Sequence, residues 1–268
     1  MEMNIKMKRA ISVVFTVATL CSLFSLAVIA PVNGAAAGYT HTTYFLANAV
    51  TLDGKWTTSS EWADTDIRGF GAGQTAIFRS KWGATSDFSV ISQYILVEIL
   101  NDDTNDTGDY WQFCFDGDMS GGTAPQAGDI RIDIAEHKTI TAYNGNGAGW
   151  TQISAPASFQ WSNSISASPA SSTPHWICEI IIDKIVFGIG AQYWLRIAVN
   201  DASNATAGVR SWPPTSRDVP NDWGDIPYDM NPVPESLGFG VVVLLSSVAV
   251  LVGFFGLRKR PRTYKWPQ

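Results

Sequence analysis

Tyr193-Trp194-Leu195-Arg196-Ile197-Ala198-Val199-Asn200 alternates between two kinds of side chain. Tyr193, Leu195, Ile197 and Val199 fall on one side of an extended backbone, and Trp194, Arg196, Ala198 and Asn200 on the other. Successive side chains of a strand point to opposite faces, so the stretch predicts a β-strand with one face in a core and one toward water. Ile130-Arg131-Ile132-Asp133-Ile134 repeats the pattern. Residues 94–100 are more apolar throughout, as a central strand covered on both faces is. Further runs rich in β-branched and aromatic residues occupy 75–82, 110–116, 138–143, 157–163 and 175–183, separated by Gly, Asn, Asp, Ser and Pro. Eight or more short strands without an amphipathic helix predict an all-β fold, an antiparallel, jelly-roll-like β-sandwich.

The two ends read differently. Lys6, Lys8 and Arg9 precede an apolar run over 10–30, and Pro31 is followed by the small residues Gly34, Ala35, Ala36 and Ala37. This is the pattern of a secretory signal peptide over 1–37, cut after Gly34 or Ala37, with an uncleaved anchor as the other reading. At the far end, 237–257 contains no charge. About 21 residues at about 1.5 Å each span about 31 Å, the thickness of a hydrocarbon core. Arg258, Lys259, Arg260, Arg262 and Lys265 follow at once, and such clusters stay on the cytoplasmic side. The chain therefore divides into a signal at 1–37, an extracytoplasmic sandwich at 38–230, a linker at 231–236, a transmembrane helix at 237–257 and a basic tail at 258–268. The expected location is the cell surface, anchored in the membrane.

The body between Gly38 and Pro234 carries 22 Asp plus Glu against 10 Lys plus Arg, a net charge of about −12. Phosphate binding needs the opposite sign, so nucleic acid is excluded as a partner. The mature cysteines are Cys114 and Cys178. An exported pair is able to form a disulfide. Alternation, however, groups Cys114 with Gln112 and Asp116 but Cys178 with Trp176 and Ile180, on opposite kinds of face.

Val233-Pro234-Glu235, the apolar segment and the basic tail resemble the tripartite sorting signals of the PEP-CTERM kind and their archaeal relatives, which implies a sortase-like processing protease as a partner. Ser236 stands where the bacterial motif has a second proline, and a plain stop-transfer anchor is the alternative. In the body, Leu52-Asp53-Gly54 with Glu61-Trp62, the strand at 94–101 running into Asp102-Asp103-Thr104, the strand at 109–116, Glu179-Ile180-Ile181-Ile182-Asp183, and Trp212-Pro213 with Pro220-Asn221-Asp222-Trp223-Gly224-Asp225-Ile226 follow one another in an order similar to carbohydrate-binding module family 9, within the DOMON-like sandwiches. The resemblance implies a non-catalytic module whose partner is a polysaccharide or glycan.

A sugar ring offers an apolar C–H face and a polar edge, so its site needs aromatic planes beside carboxylates and amides. Trp150, Trp212 and Trp223, set among Gly, Pro, Asn and Asp, are the candidate ligand-binding rings, with Asp222 beside them; plugging the ends of the sandwich is the other reading. Trp62, Trp111 and Trp176 are assigned to the core. Asp102, Asp103, Asp116 and Asp118 are candidate metal ligands for a structural calcium ion, which takes six to eight oxygens; solvated acidic turns are the alternative. His41, His137 and His175 show neither metal-ligand nor nucleophile-elbow spacing, so no catalytic residue is assigned. Two other functions remain open. One is a structural or adhesive envelope protein without a small ligand. The other, implied by the DOMON-like resemblance, is a haem-binding electron-transfer domain, for which Met119, Met230 and His175 are the available axial residues.

Overall fold

The computed structural model describes residues 35, 36 and 38–230. Two sheets of seven strands face each other. The first contains β1 (Thr43–Phe45), β2 (Ile67–Phe70), β3 (Ala76–Ala84), β4 (Ile91–Ile99), β9 (Phe159–Ser168), β10 (Ser171–Asp183) and β14 (Tyr228–Asp229), in the order β14-β1-β3-β4-β10-β9 with β2 also on β3. The second contains β5 (Tyr110–Asp116), β6 (Ile130–Ala135), β7 (Thr139–Gly145), β8 (Trp150–Ile153), β11 (Tyr193–Asn200), β12 (Arg210–Trp212) and β13 (Gly224–Ile226), in the order β12-β11-β5-β6-β7-β8 with β13 also on β11. The four-residue helix α1 (Lys184–Phe187) is capped by the Asp183 carboxylate, which accepts from the Ile185 and Val186 amides.

Pairing is antiparallel except where β1 runs parallel to both β3 and β14, so the expectation of a purely antiparallel sandwich is corrected at that edge. The expected signal segment falls outside the described residues apart from Ala35 and Ala36. The Ala36 amide donates to the Trp223 carbonyl, so a cut after Gly34 would leave both residues in the domain. Among the described residues no helix is long and apolar enough to cross a membrane. The expected linker, span and tail at 231–268 lie outside them.

Alternation decides what the sheets bury. Phe78 of β3, Ile95, Val97 and Ile99 of β4, and Cys178, Ile180 and Ile182 of β10 meet Trp111, Phe113 and Phe115 of β5 and Tyr193, Leu195, Ile197 and Val199 of β11. Each such side chain contributes about 1.5–3 kcal/mol when it leaves water. Cys178 sits in this layer, while Cys114 lies on the outer face of the second sheet; both are buried free thiols, so no disulfide joins them.

Both outer faces are partly covered. A strap made of residues 46–66 crosses the first sheet, packing Val50, Trp56 and Trp62 on Tyr94, Leu96 and Ile177. Three carboxylates shape it. Asp64 accepts from the Ala47 and Asn48 amides, Glu61 from those of Thr51 and Thr57, and Glu179 from those of Asp53 and Gly54 and from the Trp62 indole. Buried Lys81 ties the strap down at 2.9 Å from Asp64. Gly54 is obligatory, because a Cβ there would lie 2.3 Å from the Asn163 backbone and φ is +76°. Over the second sheet, residues 213–223 bury Trp194, Arg196 and Ala198, which corrects the expectation that this face of β11 is wet.

Candidate functional site

The cover at 213–223 protects only one end of the second sheet's outer face. From beneath it, cross-strand rows run outward, Arg196, Cys114, Arg131, Tyr143 and Gln152 in one line and Ala198, Gln112, Asp133 and Thr141 in the next, so that Arg131, Tyr143, Gln152, Asp133 and Thr141 lie beyond the cover. The alternation of 130–134 places Arg131 and Asp133 here, because Ile130, Ile132 and Ile134 are drawn into the core.

These groups form one hydrogen-bonded network. The Arg131 guanidinium holds Asp133 through Nε and a terminal nitrogen, at 2.9 and 2.6 Å, and reaches Asp218 at 3.1 Å. Its plane lies over the Tyr143 ring, 5.0 Å from the centroid. Gln112 donates to Asp133 at 2.9 Å and accepts from Arg196, whose Nε donates to the Ser216 carbonyl. Burial works against charge on Arg131, but the hydrogen bonds and charge of Asp133, with Asp218 behind it, more than offset that and hold its pKa above the ordinary value. The side chains of Arg131, Asp133 and Asp218 are 21, 18 and 43 % exposed, so the network is fixed yet reachable from solvent. Two guanidinium groups face two carboxylates. Such a surface is matched to an uncharged, hydroxyl-rich ligand.

The tryptophans expected to bind ligand are placed otherwise. Trp212 is the last residue of β12, 2 % exposed, and packs on Phe78 in the core. Trp223 is fully buried against Cys114 and Trp194, and its indole donates to the Arg217 carbonyl. Both correct the expectation of exposed loop rings; a ring flanked by Pro and Gly is here a lid on the sheet. Trp150 opens β8, half-buried, with its plane 4° from that of Trp223 and the centroids 6.3 Å apart. Asp222 is exposed on the turn that precedes Trp223. Of the rings assigned to the core, Trp62 and Trp111 are fully buried, and half-buried Trp176 lies against Trp111.

The chain matches no known protein family and no curated protein. Among solved structures it is similar to a carbohydrate binding module family 9 domain from Caldicellulosiruptor kristjanssonii in complex with cellotriose, at 14% identity over 74% of this chain and 96% of that chain, with a TM-score of 0.47. It is also similar to a module of that family from the same organism in complex with glucose, at 14% identity over 71% of this chain and 96% of that chain, TM-score 0.47.

The acidic residues divide into two groups. Asp116 and Asp118 converge with Asp129, their oxygens within 4.8 Å of one another, at the covered end of the same face. Asp129 is pushed up to about 7, first by burial and then by Asp116 and Asp118, although the Gln126 amide donates to it; its Oδ1 is buried without a partner. Asp102 converges instead with Asp109 and His137. Asp103 joins neither group. It is exposed in a shallow cleft lined by Leu100, Asn101, Ser171, Thr173 and Pro174, so the expected four-aspartate set is not one site. His175 is engaged with Glu98 at 2.8 Å, Met119 packs under the Trp150–Trp223 pair and Met230 is exposed.

Proposed function

We propose that the protein is a membrane-tethered, extracytoplasmic carbohydrate-binding module without catalytic activity, whose glycan lies across the open part of the second sheet. The observation that carries this reading is the partly exposed Arg131-Asp133 pair over Tyr143, fixed from below by buried Gln112, with Asp218 at its rim. Sugar hydroxyls donate and accept in pairs, and a guanidinium beside a carboxylate and an amide offers both functions together. Half-buried Tyr110 and Trp150 supply apolar surface at opposite ends of the face. The order of sequence landmarks similar to family 9 modules agrees with this reading, as do the signal-like N-terminus and the apolar 237–257 segment with its basic tail. Asp116, Asp118 and Asp129 would hold a structural calcium ion beside the glycan. What supports the ion is the buried, unpartnered Asp129 oxygen among three carboxylates of hard-cation chemistry.

A glycan array with the detergent-solubilised full-length chain tests this, run with and without a calcium chelator. The expected result is binding to a neutral oligosaccharide that Arg131→Ala and Asp133→Ala each weaken at least about tenfold, since hydrogen bonds to charged groups contribute about 1.5–3 kcal/mol. No binding to any glycan, or binding that both variants retain, would overturn it.

A further inference from the structure

At the far end of the sandwich a second cluster has nothing to do with the glycan face. The loop between β4 and β5 carries Asp102 and Asp109, and the β6–β7 turn carries His137. The side chains of all three are 0 % exposed. His137 Nε2 lies 3.3 Å from Asp109 Oδ2 and 3.9 Å from Asp102 Oδ2. Trp176 stacks on the imidazole at 3.9 Å and Trp111 closes its edge, so the ring cannot turn away. Asp109 is fixed by the Asp106 and Ala202 amides, and Asp102 by the Thr104 amide. Yet Asp102 Oδ2 and both imidazole nitrogens have no hydrogen-bond partner.

The charge does not balance either. Asp201 is buried nearby with its own unpartnered oxygen, 3.8 Å from the guanidinium of Arg210. Three buried carboxylates thus share one guanidinium, and a buried carboxylate is retained only where a hydrogen bond, a proton or a cation compensates it. One divalent cation supplies that compensation with the imidazole neutral.

We propose that Asp102, Asp109 and His137 are the protein ligands of a zinc ion. An imidazole among the donors selects zinc over calcium, which takes oxygen alone. Ligands about 2.05 Å from a tetrahedral zinc lie about 3.3 Å from one another, the separation already present between His137 and Asp109. The ion would pin the loop that passes from the first sheet to the second onto a hairpin of the second. It is thus a cross-sheet staple in a domain that has no disulfide.

The test uses the untagged full-length chain in detergent, stripped with a chelator and dialysed against zinc in the presence of excess calcium. One zinc per chain is expected by mass spectrometry, with a rise in Tm of several degrees. His137→Gln and Asp109→Asn should each weaken zinc at least about 100-fold, while Asp129→Asn and His175→Gln retain it. X-ray absorption at the zinc edge of the wild-type protein should show one imidazole and only oxygen or nitrogen at about 2.0–2.1 Å, a readout that holds even if a variant fails to fold. Failure of the wild type to retain zinc, retention by folded His137→Gln, or an absorption spectrum without imidazole would overturn the assignment. Glycan binding is not a readout here, so the two proposals fail separately.

Discussion

Replacing Trp212 by Ala would open a cavity at the β12 edge of the core, because its ring lies 4.9 Å from that of Phe78 and fills the space left by Gly224. Truncating a buried Trp costs about 3–5 kcal/mol, which in a domain of this size lowers Tm by on the order of 10 °C. Arg131→Ala, on a half-exposed face, is expected to leave Tm within a few degrees, and differential scanning calorimetry of both variants checks the contrast. Glu179 provides a pH test. Burial raises its pKa from 4.5 to about 7, with Glu61 adding to the rise, against the donors Trp62, Gly54 and Asp53. The folded protein therefore holds this proton more tightly than the unfolded chain, and the stability it contributes is complete below pH 4.5 and lost as pH rises through 7. Buried His41 acts the other way, its pKa lowered to about 3 by burial and by Arg68 and Arg79, so stability is lost as pH falls below 6.5. The difference between wild type and Glu179→Gln isolates the first effect. The wild-type melting temperature should fall, relative to the variant, between pH 5 and 8. A constant difference across that range would contradict the assignment.

At the scale of elements, the strap is held by a buried ion pair, and removing one partner of such a pair costs about 3–5 kcal/mol because the other charge stays buried. Lys81→Met is therefore expected to release residues 46–66 before the sheets. Hydrogen exchange at the Ala47 and Asn48 amides, which donate to Asp64, should rise sharply while the β11 amides stay protected. The long strands were legible in the sequence: 110–116 and 193–200 coincide with β5 and β11, since seven or eight alternating residues carry a clear period. The strands β1, β12, β13 and β14 were not, because two or three residues carry no period at all. Trp212 read as a loop residue for the same reason; Trp223 does lie in a loop, but its burial and that of β11's outer face depend on the cover supplied from 213–223, a contact no local pattern announces. The Arg131-Asp133 face was half legible. Alternation put both residues toward water, but their meeting with Gln112, Tyr143 and Asp218 is set by strand order.

For the whole molecule, the two thiols among the described residues report on different events. Cys114 lies under the Trp150–Trp223 lid and Cys178 between the sheets, and burial pushes the first up to about 12 and the second well above the usual thiol range. Neither should react with a thiol reagent in the native state. In Trp223→Ala, Cys114 should become reactive while Cys178 still labels only at the rate of global unfolding, which mass spectrometry of each cysteine peptide resolves; equal rates would contradict a separate lid. A last consequence follows from the parallel pairing of β14 with β1, which brings the final strand of the domain against its first. Tension arriving from beyond Met230 meets just two residues: Tyr228, whose ring stacks on Trp82 and whose hydroxyl donates to Gln93, and Asp229, whose carbonyl accepts from the Trp82 indole. That seam belongs to the first sheet and the Arg131-Asp133 face to the second, so on the proposed reading a pull from the C-terminal side is taken up at one edge of the domain before it strains the face that would hold a ligand.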